Sequence, residues 1–211
     1  MLPLLLLAIA LCALGAIAAD WHERRPPLFK LLKPLTTVLV IALCALAPES
    51  LYRDALLAGL LLSLLGDVAL MYESQRAFMI GLGSFLLAHL LFMLAFLQGV
   101  PAYAMPPAGW GFVLYALVFA GLLLPRAQGL RLPVLLYGLV LCAMAITALM
   151  RWQNLDGGSG RYALLGACLF LVSDSALGLR KFFGFYPGAQ ALILSTYWAA
   201  IGLIAWSAQG L

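Results

Sequence analysis

Charged residues are scarce in this 211-residue chain, and their scarcity argues against a water-soluble globular protein. Only 9% of the residues are charged and 65% are hydrophobic, whereas a soluble domain has about 25% charged residues. The twelve Lys and Arg residues are dispersed over short loops and form no basic tract. The net charge of +4 therefore does not indicate a nucleic-acid partner.

Common catalytic and metal-binding motifs are also missing. The sequence contains no G-x-S-x-G elbow, no H-E-x-x-H pair and no glycine-rich phosphate loop. Its four cysteines all lie inside apolar segments and lack the spacing of metal ligands. They are Cys12, Cys44, Cys142 and Cys168. We therefore expect neither a metal ion nor another cofactor.

Long apolar runs are what the sequence does contain. Runs of roughly 20 residues have the length of a helix that crosses the ~30 Å hydrocarbon core of a bilayer. Each run is bounded by charge, proline or glycine. The sequence therefore predicts an all-α membrane protein, with one transmembrane domain over residues 1–211 and eight transmembrane helices. The predicted spans are 3–19, 31–47, 52–72, 77–97, 109–124, 132–150, 161–179 and 188–207.

The first span raises the question of a cleaved signal peptide, because Ala16-Ile17-Ala18 resembles a cleavage site. However, no basic residue precedes this span, whereas Arg24 and Arg25 follow it. We therefore expect a retained helix with its N-terminus outside.

The distribution of basic residues predicts the orientation in the membrane. Of the twelve Lys and Arg residues, nine lie in odd-numbered loops and three in even-numbered loops. Because basic loops stay in the cytoplasm, the odd-numbered loops are predicted to be cytoplasmic and both termini extracytoplasmic. The short loops favour a bacterial inner membrane.

An internal repeat is indicated when the chain is shifted by 107 residues. Residues of the third and seventh spans and of the segments after them then coincide. The matches are Gly59 with Gly166, Asp67 with Asp174, Phe78 with Phe185 and Gly81 with Gly188. Four spans per half preserve orientation, so the halves, about 1–107 and 108–211, would form a parallel repeat. Asp67 and Asp174 would then face each other across one cavity.

These two aspartates are the main functional candidates. A charge at the centre of a membrane helix costs about 2.5–3.5 kcal/mol, and such residues usually serve a function. Both are predicted to lie about one and a half turns from the cytoplasmic ends of their helices. The alternative is a purely stabilising ion pair with Lys33 or Arg180.

Lys33 and two serines are polar candidates at similar depth. Lys33 precedes Pro34 and could pair with an aspartate, bind a phosphate or anchor the helix at the interface. Ser63 lies one turn before Asp67, and Ser173 directly precedes Asp174. Membrane-helix serines commonly donate hydrogen bonds, so a supporting role is expected.

His89 and Tyr197 add polar groups to otherwise apolar helices. His89 shares a helical face with Phe85 in the fourth span, and Tyr197 lies in the eighth. Each is either a hydrogen-bonded packing residue or part of the wall of the same cavity.

Together these residues resemble the lysoplasmalogenase (YhhN-like) family of membrane proteins. The first matching segment runs from Leu65-Gly66-Asp67 through Phe78, Gly81, Phe85 and His89, and the second covers Phe170 to Asp174. Lys33-Pro34 and Tyr197 also fit. One departure is Ile201, where the family often has a glutamine.

The resemblance implies hydrolysis of the vinyl ether bond of a lysoplasmalogen. The products are a fatty aldehyde and glycerophosphoethanolamine or glycerophosphocholine. It also implies that Asp67 and Asp174 are the catalytic pair, without a metal. One carboxyl group would protonate the vinyl ether, and the other would stabilise the oxocarbenium ion, as in glycosidases. The polar candidates above and Phe85 would then contact the lysophospholipid within the surrounding membrane lipids.

Two other functions are compatible with paired intramembrane acids. One is a small proton-coupled transporter or lipid carrier, and the other is a lipid-modifying transferase. Transport requires access from both membrane faces, whereas both aspartates are predicted near one face, which favours an enzyme.

Overall fold

The computed structural model describes residues 1–21, 24–101, 104–155 and 157–210. These residues form eight α-helices and no strand, and each helix overlaps one of the predicted spans. The helices are α1 (Leu2–Ala19), α2 (Pro27–Ala45), α3 (Leu51–Ala69), α4 (Gln75–Phe96), α5 (Gly109–Leu123), α6 (Arg131–Asn154), α7 (Gly158–Phe183) and α8 (Ala189–Trp206).

Six of these helices are long and apolar enough to cross a membrane, which makes the chain an integral membrane protein. They are α1, α2, α4, α6, α7 and α8. The other two differ in length or charge: α5 has 15 residues, and α3 contains Arg53, Asp54 and Asp67.

The packing of the helices follows the same order in both halves of the chain. The pairs α3–α4 and α7–α8 form the most extensive contacts. Helix α2 contacts α3 and α8, and α6 contacts α7 and α4. Helix α1 packs on α2, and α5 packs on α6. Helices α2, α3, α4, α6, α7 and α8 therefore surround the centre of the protein.

Glycines allow the closest helix approaches. A Cβ atom at Gly59 would lie 2.4 Å from the ring of Phe92 on α4. A Cβ atom at Gly166 would lie 2.7 Å from the Ile204 side chain and 2.8 Å from the carbonyl oxygen of Ala200 on α8. Small residues at such contacts are typical of helix pairs in membranes, where packing replaces the hydrophobic effect as the driving force.

Replacing Gly166 by alanine is expected to destabilise the protein by about 1–3 kcal/mol, because backbone of α8 must move to admit the methyl group. Thermal unfolding in detergent measures this change. Gly202→Ala is the matched control on α8, since a Cβ atom there meets nothing within 4 Å. Equal unfolding temperatures for the two variants would contradict the close packing of α7 on α8.

The ends of α3 and α7 correct one sequence prediction, that both aspartates lie at equal distances from their helix ends. Asp67 lies two residues before the end of α3, whereas Asp174 lies nine residues before the end of α7. Helix α7 continues through Arg180 and Lys181, whose charges suit a helix C-terminus. It ends before Gly184, which has φ 102°.

Candidate active site

Asp67 is buried and surrounded by donors. Its side chain accepts hydrogen bonds at Oδ2 from the hydroxyls of Thr37 at 2.6 Å and Tyr197 at 2.7 Å. The Lys33 ammonium lies 3.4 Å from Oδ1 and donates to the Asp67 carbonyl oxygen at 3.2 Å. Lys33 and Thr37 are one turn apart on α2, so both reach the same carboxyl group. Two hydroxyls and a cation thus compensate a carboxylate at this position.

Asp174 has different surroundings. The Tyr137 hydroxyl of α6 donates to its Oδ2 atom at 2.5 Å. Among the described residues, no Lys or Arg nitrogen lies within 4.0 Å of this carboxyl group. Its side chain is 10% exposed, compared with 2% for that of Asp67. Asp174 is therefore the more accessible carboxyl group and the one without a neighbouring cation.

His89 lies behind Asp174 in an aromatic cluster. Its ring centroid is 4.5 Å from that of Phe170 and 5.4 Å from that of Tyr137. The imidazole is fully buried, and neither nitrogen has a hydrogen-bond partner among the described residues. Nε2 lies 3.9 Å from Oδ2 of Asp174, which is too long for a hydrogen bond. If the two side chains approached by about 1 Å, the imidazole could donate a hydrogen bond to Asp174, which would remove the cost of an unsatisfied buried donor.

The two aspartates are held by helices in equivalent positions along the chain. Asp67 on α3 is contacted from α2 and α8. Asp174 on α7 is contacted from α6 and α4. The two sets of partners differ, however, because α2 supplies a cation and a hydroxyl where α6 supplies only a hydroxyl.

Both carboxyl groups line one polar cavity of about 310 Å³. Its walls come from the inner helices, and its rim includes exposed residues of the loop between α3 and α4. The lining residues with ionisable or amide side chains are Arg25, Lys33, Asp67, Tyr72, Glu73, Asp174, Arg180, Lys181, Gln190 and Tyr197. The cavity therefore lies toward the ends of the helices that the odd-numbered loops connect.

A second cavity, of about 220 Å³, is almost entirely apolar. It lies among α4, α5, α6 and α7, and exposed side chains such as Leu117 and Leu139 form part of its wall. Six residues line both cavities: Leu70, Phe78, Phe85, Asp174, Leu177 and Lys181. Asp174 consequently stands where a polar cavity meets an apolar one.

The rim of the polar cavity is fixed by a buried aspartate at the end of α1. Asp20 accepts hydrogen bonds from the Arg25 backbone amide at 2.6 Å and from Nε2 of Gln190 at 2.7 Å. Gln190 in turn accepts a hydrogen bond from Arg180 at 2.5 Å. The Arg25 side chain donates to the Met71 carbonyl oxygen at 3.1 Å. These contacts join the first loop, the third loop and the start of α8.

The structure brings together most of the residues that the sequence singled out. Six of the eight line the polar cavity: Lys33, Asp67, Phe85, Ser173, Asp174 and Tyr197. Ser173 donates its hydroxyl to the Ile193 carbonyl oxygen. Ser63 instead donates to Gly59 one turn earlier in its own helix, and His89 lies behind the cavity wall.

Several residues at the site were not predicted. Thr37 and Tyr137 donate directly to the two carboxyl groups. The position of Thr37 one turn after Lys33 weakly indicates that both face the same group. Tyr137 could not be singled out, because it is one of many aromatic residues in apolar helices. Asp20 was assigned to a loop, and its burial depends on contacts with a distant helix.

Comparison with known proteins identifies relatives of this sequence. The sequence model of the YhhN family matches residues 28–208. Lysoplasmalogenase TMEM86B of Mus musculus is 34% identical over 176 residues, covering 81% of this chain and 70% of that protein. Lysoplasmalogenase of Mycobacterium tuberculosis is 34% identical over 187 residues, covering 84% of this chain and 67% of that protein.

No solved structure matches the chain. The sequence resemblance drawn from the aspartate segments is nevertheless confirmed, because the family match over residues 28–208 includes both of those segments. The chain belongs to the YhhN family.

Proposed function

We propose that this chain is a lysoplasmalogenase, which hydrolyses the vinyl ether bond of lysoplasmalogen to a fatty aldehyde and glycerophosphoethanolamine or glycerophosphocholine. One observation carries the proposal: two carboxyl groups with unlike partners, one buried and one partly exposed, line one cavity, and the partly exposed one also lines an apolar cavity. Relatives that are 34% identical carry the name lysoplasmalogenase.

The reaction needs an acid and a negative charge. A proton is transferred to the β-carbon of the vinyl ether, which leaves an oxocarbenium ion. Water then adds to the α-carbon and returns a proton to the acid, and the hemiacetal collapses to aldehyde and alcohol. The reaction consumes only the vinyl ether and one water molecule, and the acid is regenerated. Glycosidases divide acid and charge stabilisation between two carboxyl groups in the same manner.

Asp174 is the general acid in this proposal. It has no cation beside it, and an apolar setting without a counter-ion disfavours a charged carboxylate. Its position at the junction of the cavities brings it to a substrate that is polar at one end and apolar at the other. The Tyr137 hydroxyl orients this carboxyl group through its hydrogen bond, and the His89 imidazole lies beside it at 3.9 Å.

Asp67 is the carboxylate that stabilises the cation. Lys33, Thr37 and Tyr197 keep it charged and in place. The main role of Lys33 is therefore to pair with Asp67. Lys33 also lines the polar cavity, where it can contact the substrate. Ser173 joins α7 to α8 beside Asp174 through its hydrogen bond to the Ile193 carbonyl oxygen, whereas Ser63 bonds within α3 only.

The substrate occupies both cavities. The glycerophospho head group lies in the polar cavity, among its cationic side chains. The alkenyl chain passes Phe85 into the apolar cavity, whose exposed wall on α5 and α6 allows a long chain to continue into lipid. The vinyl ether then lies beside Asp174.

All eight helices cross the membrane in the proposed topology, with odd-numbered loops in the cytoplasm and both termini outside, in a bacterial inner membrane. Two observations support eight crossings rather than six. Helix α5 is apolar throughout, and Arg53 and Asp54 lie in the first turn of α3, at its end rather than in its middle. The equivalent helix contacts and the Gly59 and Gly166 packing sites support two parallel four-helix repeats. Labelling of Arg76→Cys with a membrane-impermeant thiol reagent, in a variant whose four native cysteines are replaced, tests the orientation, and we expect labelling from the cytoplasmic side only.

Purified protein in detergent is expected to release fatty aldehyde from lysoplasmalogen without an ion gradient. Aldehyde is measured directly, for example by coupling to an aldehyde dehydrogenase. An alternative is a proton-coupled transporter or lipid carrier that uses the same aspartates; such a protein would release none. The fully buried Phe92, Phe96 and Phe170 beyond the aspartates favour the enzyme, because they close the path to the other face.

A further inference from the structure

Lys181 is the cation of the polar cavity that lies next to the apolar one. It lies on α7 and lines the polar and the apolar cavity together with Asp174. Its ammonium group sits 4.4 Å from the ring centroid of Phe78, which also lines both cavities. The ring holds the cation at the junction by a cation–π contact.

The other cations of the polar cavity have acidic or carbonyl partners. Lys33 pairs with Asp67, and Arg25 pairs with Glu73 and the Met71 carbonyl oxygen. Arg180 donates to the side-chain carbonyl oxygen of Gln190. Among the described residues, no carboxylate lies within 4.0 Å of the Lys181 ammonium. Lys181 is therefore a cation that a bound anion can pair with at no cost to an existing ion pair.

The spacing of Lys181 and Asp174 matches the substrate. They are seven residues apart on one helix, which is about 10.5 Å along the axis and about 20° apart in direction. In a lysoplasmalogen, seven bonds separate the vinyl β-carbon from the phosphorus atom, roughly 8–9 Å in an extended chain at ordinary bond lengths. A phosphate at Lys181 thus places the β-carbon within reach of the Asp174 proton.

We propose that Lys181 binds the phosphate of the lysophospholipid and so sets the position of the vinyl ether along α7. A lysine ammonium is a common phosphate ligand that acts as a point charge. The inference rests on the proposed function for the identity of the substrate. The phosphate contact itself can be measured without any hydrolysis.

The test compares substrates and ligands with and without the phosphate. Lys181→Ala is expected to raise KM for 1-alkenyl-glycerophosphoethanolamine by about 10- to 100-fold, the usual effect of losing a charged hydrogen bond. We expect kcat to change less than about threefold, because the acid itself remains. With 1-alkenylglycerol, which lacks the phosphate, the variant and the wild type should have equal kcat/KM. Lys181→Arg should keep KM for the phosphate-bearing substrate close to the wild-type value.

Binding of the non-hydrolysable 1-alkyl-glycerophosphoethanolamine gives the second readout. Its Kd should rise by the same factor in Lys181→Ala, while the Kd of 1-alkylglycerol should not change. Lys30→Ala is the control, since it removes an exposed cation that lines neither cavity.

Two results would overturn the assignment to Lys181. One is an equal loss with phosphate-bearing and phosphate-free compounds, which would indicate a structural role. The other is no loss with either. If the wild type hydrolyses neither substrate, the proposed function fails, but the binding comparison still decides whether Lys181 holds a phosphate.

Discussion

Asp174→Asn is expected to lower kcat for lysoplasmalogen hydrolysis by about 10²–10⁴-fold, the usual contribution of a general acid. An asparagine amide fills the same space and its oxygen accepts the hydrogen bond from the Tyr137 hydroxyl. It has no acidic proton to transfer to the β-carbon. Aldehyde release from purified protein measures the loss. Binding of the saturated 1-alkyl analogue should change little, because the carboxyl group acts on the vinyl bond.

A matched control for this variant is Asp54→Asn, the same replacement at an exposed position of α3. It should retain normal turnover. Near-normal aldehyde release by folded Asp174→Asn would remove Asp174 from the catalytic role, because among the described residues it is the one carboxyl group that lines both cavities.

Asp67→Asn is expected to reduce both turnover and stability. Loss of the carboxylate removes charge stabilisation of the oxocarbenium ion, an electrostatic contribution of about 10²–10³ in kcat. It also leaves the Lys33 ammonium buried without its partner, and breaking a buried ion pair in this way costs about 3–5 kcal/mol. Turnover and thermal unfolding are measured on the same preparation.

The double variant Asp67→Asn/Lys33→Met separates the two effects. Methionine keeps the length of the lysine side chain and removes the unpaired charge, so the unfolding temperature should recover toward that of the wild type. Turnover should not recover. If the double variant regained activity, the role of Asp67 would be confined to neutralising Lys33, which is the alternative of a purely stabilising ion pair.

The helices and the two aspartates were predictable from sequence because a membrane imposes strong constraints. An apolar run must be about 20 residues long to cross the hydrocarbon core, so the runs predicted all eight helices within a few residues. Charge is costly in the same region, so Asp67 and Asp174 stood out against their surroundings. The match at a shift of 107 residues added the expectation that both would reach one cavity, as they do.

Which groups surround each aspartate was decided only by the tertiary structure. A helix that is apolar on every side has no amphipathic pattern to indicate which face turns inward. Packing of small residues between helices sets those faces instead. The sequence therefore left open whether Lys33 or Arg180 would pair with an aspartate, and it did not predict Thr37 or Tyr137 as donors.

The sequence by itself thus determined an all-helical membrane protein with two acids in apolar helices and the family motifs around them. The structure decided the difference between those acids, because helix packing directs a cation to Asp67 and a lone hydroxyl to Asp174. It also decided that Asp174 and Lys181 lie where a polar and an apolar cavity meet. That junction is lined by side chains from α4, α7 and the end of α3, and no single stretch of sequence contains it.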